Sequence, residues 1–355
     1  MSNQTPDVER SERAVLPGNA SFVHTNAAIL SVTAVDAPIV VTSESFDEQL
    51  AETYERTGFR PGMLSVVAGI EERRWWTEDV SFADAAAMAG SKAIAEAGID
   101  PRKIALLIDS SVCRDHLEPS KAVAVHHQLG LAPACMNFDL SNACLGFVNA
   151  MQLGATMIDA GHVEYAIVVD GEGSRRTQEL TVERLARPET TAEDVWSQFA
   201  SLTLGSGGAA MVLGRADEHP EGHRILGGTT RAATQHHELC VGTLEDMRTD
   251  SKALFAAGIQ ISIELWEEAK ATFDWGSMDR YVSHQISKVH TAAITEALNI
   301  DPDKAPSTFP TRGNIGPASV PFTLALEADS LSPGDRVLLM GIGSGINASA
   351  LEIEW

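Results

Sequence analysis

Cationic residues are scarce: 26 Lys and Arg stand against 49 Asp and Glu in 355 residues, a formal net charge of −23. Contact with a phosphate backbone needs a basic face, so nucleic-acid recognition is excluded. Cysteine is scarcer still. Cys113, Cys135, Cys144 and Cys240 are too few for a disulfide framework and form no C-x-x-C pair, which fits a reducing, cytoplasmic setting. No apolar run is long enough to span a bilayer, and the opening MSNQTPDVERSERAVLPGNA lacks the apolar centre of a signal peptide, so residues 1–22 are expected to be a flexible tail. Charged residues make up only 21% of the chain and hydrophobic ones 44%, which excludes wholesale disorder and leaves ample apolar surface for a large core.

What is present is an alternation of short β-branched runs with longer amphipathic segments, the pattern of α/β proteins. Strands are predicted over 27–35, 104–108, 136–139, 165–170, 208–213, 280–284 and 336–341, and helices over 46–57, 83–97, 120–129, 143–160, 262–273, 287–298 and 318–328. A weak internal repeat organises them. In the first half a strand runs into DLSNACLG, then come a long helix, a polar turn and YAIVVDGEG; in the second, TFPTRGNIG precedes a helix, the turn SPGD and DRVLLMGIGSG. This predicts two similar halves, residues 23–218 and 219–355, joined in ADEHPEGHR and forming one compact unit with Cys144 and Asn314 near a pseudo-twofold axis.

The segment 143–160 is apolar almost all round, so its helix is expected to be buried on every side, with Cys144 in the first turn. There the unpaired backbone N–H groups and the positive end of the helix dipole favour a thiolate. Cys113, Cys135 and Cys240 read as small core residues. His284 ends the apolar strand in DRYVSHQ, and Asn314 lies at a strand-to-helix turn in RGNIGPAS. A nucleophilic thiol with two polar side chains to hold an oxyanion suits acyl transfer from a thioester.

The motifs SNACLGF, SHQ, GNIGPAS and GIGSGINASALEIEW, in this order, together with AGIEERRWW and LGSGGAAMVLG, resemble those of the thiolase superfamily in its 3-oxoacyl-acyl-carrier-protein synthase III branch. The resemblance spans nearly everything after the tail. It implies a layered αβαβα fold of two pseudo-repeated halves, a homodimer, fatty acyl-CoA substrates and no cofactor beyond the coenzyme A that the substrate carries. It also implies that Cys144 is acylated, that its own N–H and one from Gly343, Ser344 or Gly345 form one oxyanion hole, and that His284 and Asn314 form a second. Where the branch commonly reads P-H-Q-A-N, this chain has Ser283-His284-Gln285-Ile286-Ser287.

A further difference lies in SSVCRDHLEPSKA, where Glu118 stands at a position usually apolar in that branch. A carboxylate there resembles the OleA type, which joins two fatty acyl-CoA molecules head to head in olefin synthesis and is followed by downstream olefin-pathway enzymes. The chemistry gives the carboxylate a task. A malonyl donor generates its carbanion by losing carbon dioxide, whereas a plain acyl-CoA must give up an α-proton to a base. By this resemblance Glu118 is that base and reaches the neighbouring subunit's site. The alternatives are a decarboxylating 3-oxoacyl-acyl-carrier-protein synthase III and an inactive acyl-CoA-binding scaffold.

Arg73, Arg74 and Trp75, followed by Trp76, are candidates for binding the phosphate and adenine of coenzyme A. His236, His237, Glu238 and Cys240 resemble metal ligands in type only, since adjacent histidines in a strand face opposite ways, and no metal site is expected. Gly341, Gly343 and Gly345 follow a strand as in a dinucleotide loop, but no helix comes after them, so a Rossmann reading fails.

Overall fold

In the computed structural model, which describes residues 20–355, the β-rich runs assemble into one ten-stranded sheet. Its path runs Arg280–Ser283, Arg336–Gly343, Asn347–Glu354, His223–Ala232, Ala27–Asp36, Gly207–Arg215, Tyr165–Glu172, Ile104–Asp109 and Met136–Asp139, with Ala20–Val23 paired to His223–Ala232 off that path. The sheet has a seam in the middle. His223–Ala232 meets Ala27–Asp36 only through Ala28 with Arg224 and Ile29 with His223. Outward from the seam both sides repeat one order of pairing: antiparallel, antiparallel, parallel.

Parallel neighbours need crossover helices, and these make the layers. Gly146–Asp159 precedes Tyr165–Glu172, and Ser319–Glu327 precedes Arg336–Gly343. Both helices lie in the middle layer: Phe147, Met151, Val320 and Leu324 pack in one core with Ile108 and Val168 from one side of the seam and Leu339 and Ile353 from the other. Each such buried side chain contributes about 1.5–3 kcal/mol. Phe82–Ala97 and Lys121–Gln128 cover the outer face of one side, and Ser251–Ala269 and Lys288–Ala297 that of the other. The result is the layered αβαβα arrangement.

Several elements differ from the sequence expectations. Of the tail expected over 1–22, residues 1–19 lie outside the described residues, and 20–22 belong to the strand Ala20–Val23. The helix expected over 46–57 is two, Ser43–Gln49 and Ala51–Thr57, divided at Leu50. The helix expected from Ser262 begins at Ser251, because the Asp250 side chain caps it by accepting the N–H of Ala253 at 3.0 Å. Arg175–Leu185 was not foreseen as a helix; it buries Thr177, Gln178, Thr181 and Leu185, a face with almost no apolar periodicity. No helix among the described residues is long and apolar enough to cross a membrane.

Candidate active site

Cys144 sits in the turn between Met136–Asp139 and the helix Gly146–Asp159. Ala143 before it has φ 46, a left-handed conformation that costs a non-glycine residue roughly 1–2 kcal/mol. The turn is closed by the N–H of Leu145 donating to the Asn142 carbonyl at 3.0 Å and that of Gly146 donating to Ala143 at 3.1 Å. The thiol is not a standing thiolate. Burial, followed by Glu172, Cys240 and Asp170, pushes it up to about 12, against the lowering by its own backbone N–H. The helix-end effect anticipated from the sequence is thus outweighed.

The Gly343–Gly345 turn approaches the nucleophile directly. A Cβ on Gly343 would lie 2.7 Å from the Asn142 carbonyl oxygen and 3.3 Å from the Leu145 nitrogen, so only glycine fits. Gly341, on the same strand, packs on Leu145 and Val148. His284 enters beside this strand, its backbone N–H donating to the Met340 carbonyl at 2.8 Å. The imidazole is buried, and its Nδ1 has no hydrogen-bond partner among the described residues. Burial, helped by nearby His290, lowers its pKa to about 3, so the ring is a neutral hydrogen-bonding group.

Asn314 is held by its backbone: its N–H donates to Thr203 O at 2.9 Å and its carbonyl accepts from Gly205 at 2.8 Å. Its Oδ1 accepts the N–H of Gly316 at 2.9 Å, which leaves Nδ2 as the available donor. Gly316 in turn lies against the Glu172 side chain, the same carboxylate whose charge acts on Cys144. Gly343 thus closes on the Cys144 turn, His284 stands beside the strand that carries Gly343, and Asn314 lies two residues from Gly316, which packs on the Glu172 side chain. Gln285, which the sequence reading passed over, ties the His284 strand end to the segment before Asn314: its Oε1 accepts from Thr308 and its Nε2 donates to Ser283 and Pro306.

An apolar cavity of about 80 Å³ leads away from His284 between Ser251–Ala269 and Lys288–Ala297, lined by Phe255, Ile259, Leu265, Trp266, Ile294 and Leu298. His290 and Thr291 supply polar atoms along it, and His290 Nδ1 is joined to Ser287 Oγ at 2.7 Å.

Glu118 takes no part in these contacts. It lies on an exposed loop and makes no hydrogen bond or ion pair among the described residues. Both ends of the loop are pinned. Glu172 accepts the N–H of Val112 at 2.6 Å, buried Lys121 donates to Ser111 Oγ at 2.5 Å, and Asp139 accepts the N–H groups of Lys121 and Ala122. Asp139 ends the edge strand Met136–Asp139, so the loop stands beside an open sheet edge. Apolar side chains are exposed around it: Val112, Leu117, Val123 and Met136, with Leu117 94% exposed.

Arg73 does not serve a soluble phosphate. It is fully buried, its guanidinium donating to Val41 O, Ser43 Oγ and Leu202 O and resting 4.9 Å from the Phe46 ring centre. Arg74 pairs with Glu72 at 3.0 Å, and Trp75 Nε1 donates to Gln178 at 2.5 Å, both half-buried. Trp76 is buried and donates to the Glu172 carbonyl. Of the three other cysteines Cys135 is buried, whereas Cys113 and Cys240 are half-buried.

Family models described as 3-oxoacyl-[acyl-carrier-protein (ACP)] synthase III and its C-terminal part match residues 138–233 and 269–355. An acyl-CoA:acyl-CoA alkyltransferase of Xanthomonas campestris pv. campestris is 44% identical over 334 residues, 93% of this chain and 99% of that protein. One of Shewanella oneidensis is 34% identical over 335 residues, 90% of this chain and 96% of that protein. Among solved structures, a Cys-to-Ser variant of Xanthomonas campestris OleA with bound lauric acid and lauroyl-CoA superposes with a TM-score of 0.92 at 43% identity, covering 94% of this chain and 100% of that one.

Proposed function

The chain belongs to the acyl-CoA:acyl-CoA alkyltransferases, the OleA branch of the thiolase superfamily, and from that premise we propose that it joins two fatty acyl-CoA molecules in a non-decarboxylative Claisen condensation through an acyl-Cys144 intermediate. It is an acyltransferase. What supports this reading most is the close approach of Gly343 to the Cys144 turn, with His284 beside the same strand at the lining of an apolar cavity.

In the first step the Cys144 sulfur attacks the thioester carbonyl of one acyl-CoA. The oxyanion is held by the Cys144 N–H and an N–H of the Gly343–Gly345 turn. The bond from carbonyl carbon to coenzyme A sulfur breaks, and the thiol proton ends on that departing sulfur. Burial favours the protonated thiol, so attack requires that proton to leave the sulfur.

In the second step a carboxylate takes the α-proton of a second acyl-CoA. Glu118 is assigned this role from the partner subunit. Its loop stands at the open edge strand among exposed apolar side chains, which a second copy docking along that edge would cover. Neutral His284 and Asn314 Nδ2 hydrogen-bond the enolate oxygen. The α-carbon attacks the acyl-Cys144 carbonyl, a C–C bond forms, the C–S bond breaks, and the proton on Glu118 returns to the Cys144 thiolate. The product is a 2-alkyl-3-oxoacyl-CoA.

The test is mass spectrometry with lauroyl-CoA as sole substrate. Expected are an acyl group gained on Cys144 with coenzyme A released, then a product carrying both chains. A requirement for a malonyl thioester with release of carbon dioxide would make the protein a decarboxylating synthase. Absence of any acyl adduct would leave only a binding role.

A further inference from the structure

Three asparagine side chains tie the nucleophile turn to the elements on either side of it. Asn347 Nδ2 donates to Asn142 Oδ1 at 3.0 Å, and Asn142 Nδ2 donates to Asn149 Oδ1 at 2.7 Å. Each stands on a different element: Asn142 just ahead of Ala143 and Cys144, Asn149 early in the helix Gly146–Asp159, and Asn347 opposite Gly343 in the C-terminal hairpin. The Asn142 carbonyl is also the atom that closes on Gly343 and that accepts the N–H of Leu145. Between Asn142 and the thiol lies the left-handed Ala143, a conformation that persists only where its surroundings over-determine it.

We infer that Asn142, relayed through Asn149 and Asn347, is a positioning residue that fixes Cys144 against the Gly343–Gly345 turn and so sets the geometry in which the acylation oxyanion forms. This rests on the reading of Cys144 as the acylated nucleophile. Asn142 touches no reacting atom in that scheme; it acts through Ala143 on one side and Gly343 on the other. Losing it should slow the chemical step while leaving acyl-CoA binding alone, since a misplacement of about 1 Å can cost about 10²-fold in rate.

The chemistry of the relay gives a sharper expectation than truncation alone. An amide donates at one atom and accepts at the other, whereas a carboxylate only accepts. The chain of three amides can run in either direction. Asn149→Asp alone or Asn347→Asp alone therefore keeps it complete, while the two together put carboxylate oxygens on both sides of Asn142, which can donate towards only one.

The measurement is the rate of Cys144 acylation by lauroyl-CoA in the full-length protein, read by rapid quench and intact mass across substrate concentrations, with circular dichroism to check folding. Asn142→Ala and Asn149→Asp/Asn347→Asp should each lower the rate at saturation by about 10²-fold with KM held within about twofold, and each single Asp variant should stay within about fivefold of wild type. Saturated rates equal to wild type in both impaired variants, a change confined to KM, or single Asp variants as slow as the double would overturn the inference. If Asn142→Ala does not fold, the comparison of single and double Asp variants decides. Wild-type protein that gains no acyl group on Cys144 would instead overturn the nucleophile assignment.

Discussion

Gln285 Oε1 accepts the backbone N–H of Thr308 at 2.8 Å, so the residue that follows His284 anchors the segment that delivers Asn314. Its Nε2 donates to Ser283 O at 2.9 Å and Pro306 O at 3.2 Å, and the side chain is fully buried. One amide therefore ties the strand end carrying His284 to the segment leading to Asn314, the two side chains proposed to hold the enolate. Gln285→Ala strands these backbone groups at about 1–3 kcal/mol each and should lower the melting temperature. It should also slow condensation more than acylation, because the Cys144 turn is held by other contacts. Single-turnover acylation compared with product formation checks this, and equal losses in both steps would refute it.

Asn314→Ala removes the available Nδ2 donor while the backbone bonds to Thr203 and Gly205 stay in place. Turnover should fall by about 10²–10³-fold, the usual effect of losing one oxyanion donor. The thermal midpoint should fall modestly, because the Oδ1 that accepts the Gly316 N–H is lost as well. An unchanged turnover number would remove Asn314 from the mechanism.

Glu118→Ala should still allow Cys144 to be acylated but form little joined product, and Glu118→Asp should retain part of the activity because the base survives with a shorter reach. Mixing Cys144→Ala with Glu118→Ala protomers should restore product at one site per heterodimer. No recovery despite confirmed subunit exchange would place the base elsewhere.

Burial lowers His284 to about 3 and His290 to about 4, against 6.5 for a free imidazole. As pH falls through 6.5 the unfolded chain takes up protons at these positions that the folded chain refuses, so stability declines towards pH 4. His284→Gln should lose less stability than wild type between pH 7 and pH 4.5, measured by urea denaturation. An identical decline would mean that His284 is accessible to protons in the folded state.

Local signals in the sequence carried much of this architecture. Met136–Asp139 and the Cys144 turn could be located because the apolar run, the turn and the helix are contiguous. What escaped depends on distant partners. The strand His223–Ala232 contains Gly227 and Gly228 and little apolar alternation, and it exists because Asn347–Glu354 and Ala20–Val23 pair with it. Gln285 acts through Pro306 and Thr308, contacts that no spacing near His284 reveals. Arg73 shows the reverse: its type suggested a phosphate ligand, and only packing on Phe46 and Ser43 shows that its charge faces inward. The raised pKa of the Cys144 thiol likewise follows from its burial in the folded chain and then from Glu172, on the distant strand Tyr165–Glu172.

The protonated resting state of Cys144 also governs how the protein endures its chemical surroundings. Peroxides and soft electrophiles react with thiolates, and a sulfur held near 12 offers them only a trace at neutral pH. The environment of Cys144 thus disfavours the ionised form through which the sulfenic and sulfinic acid stages are entered.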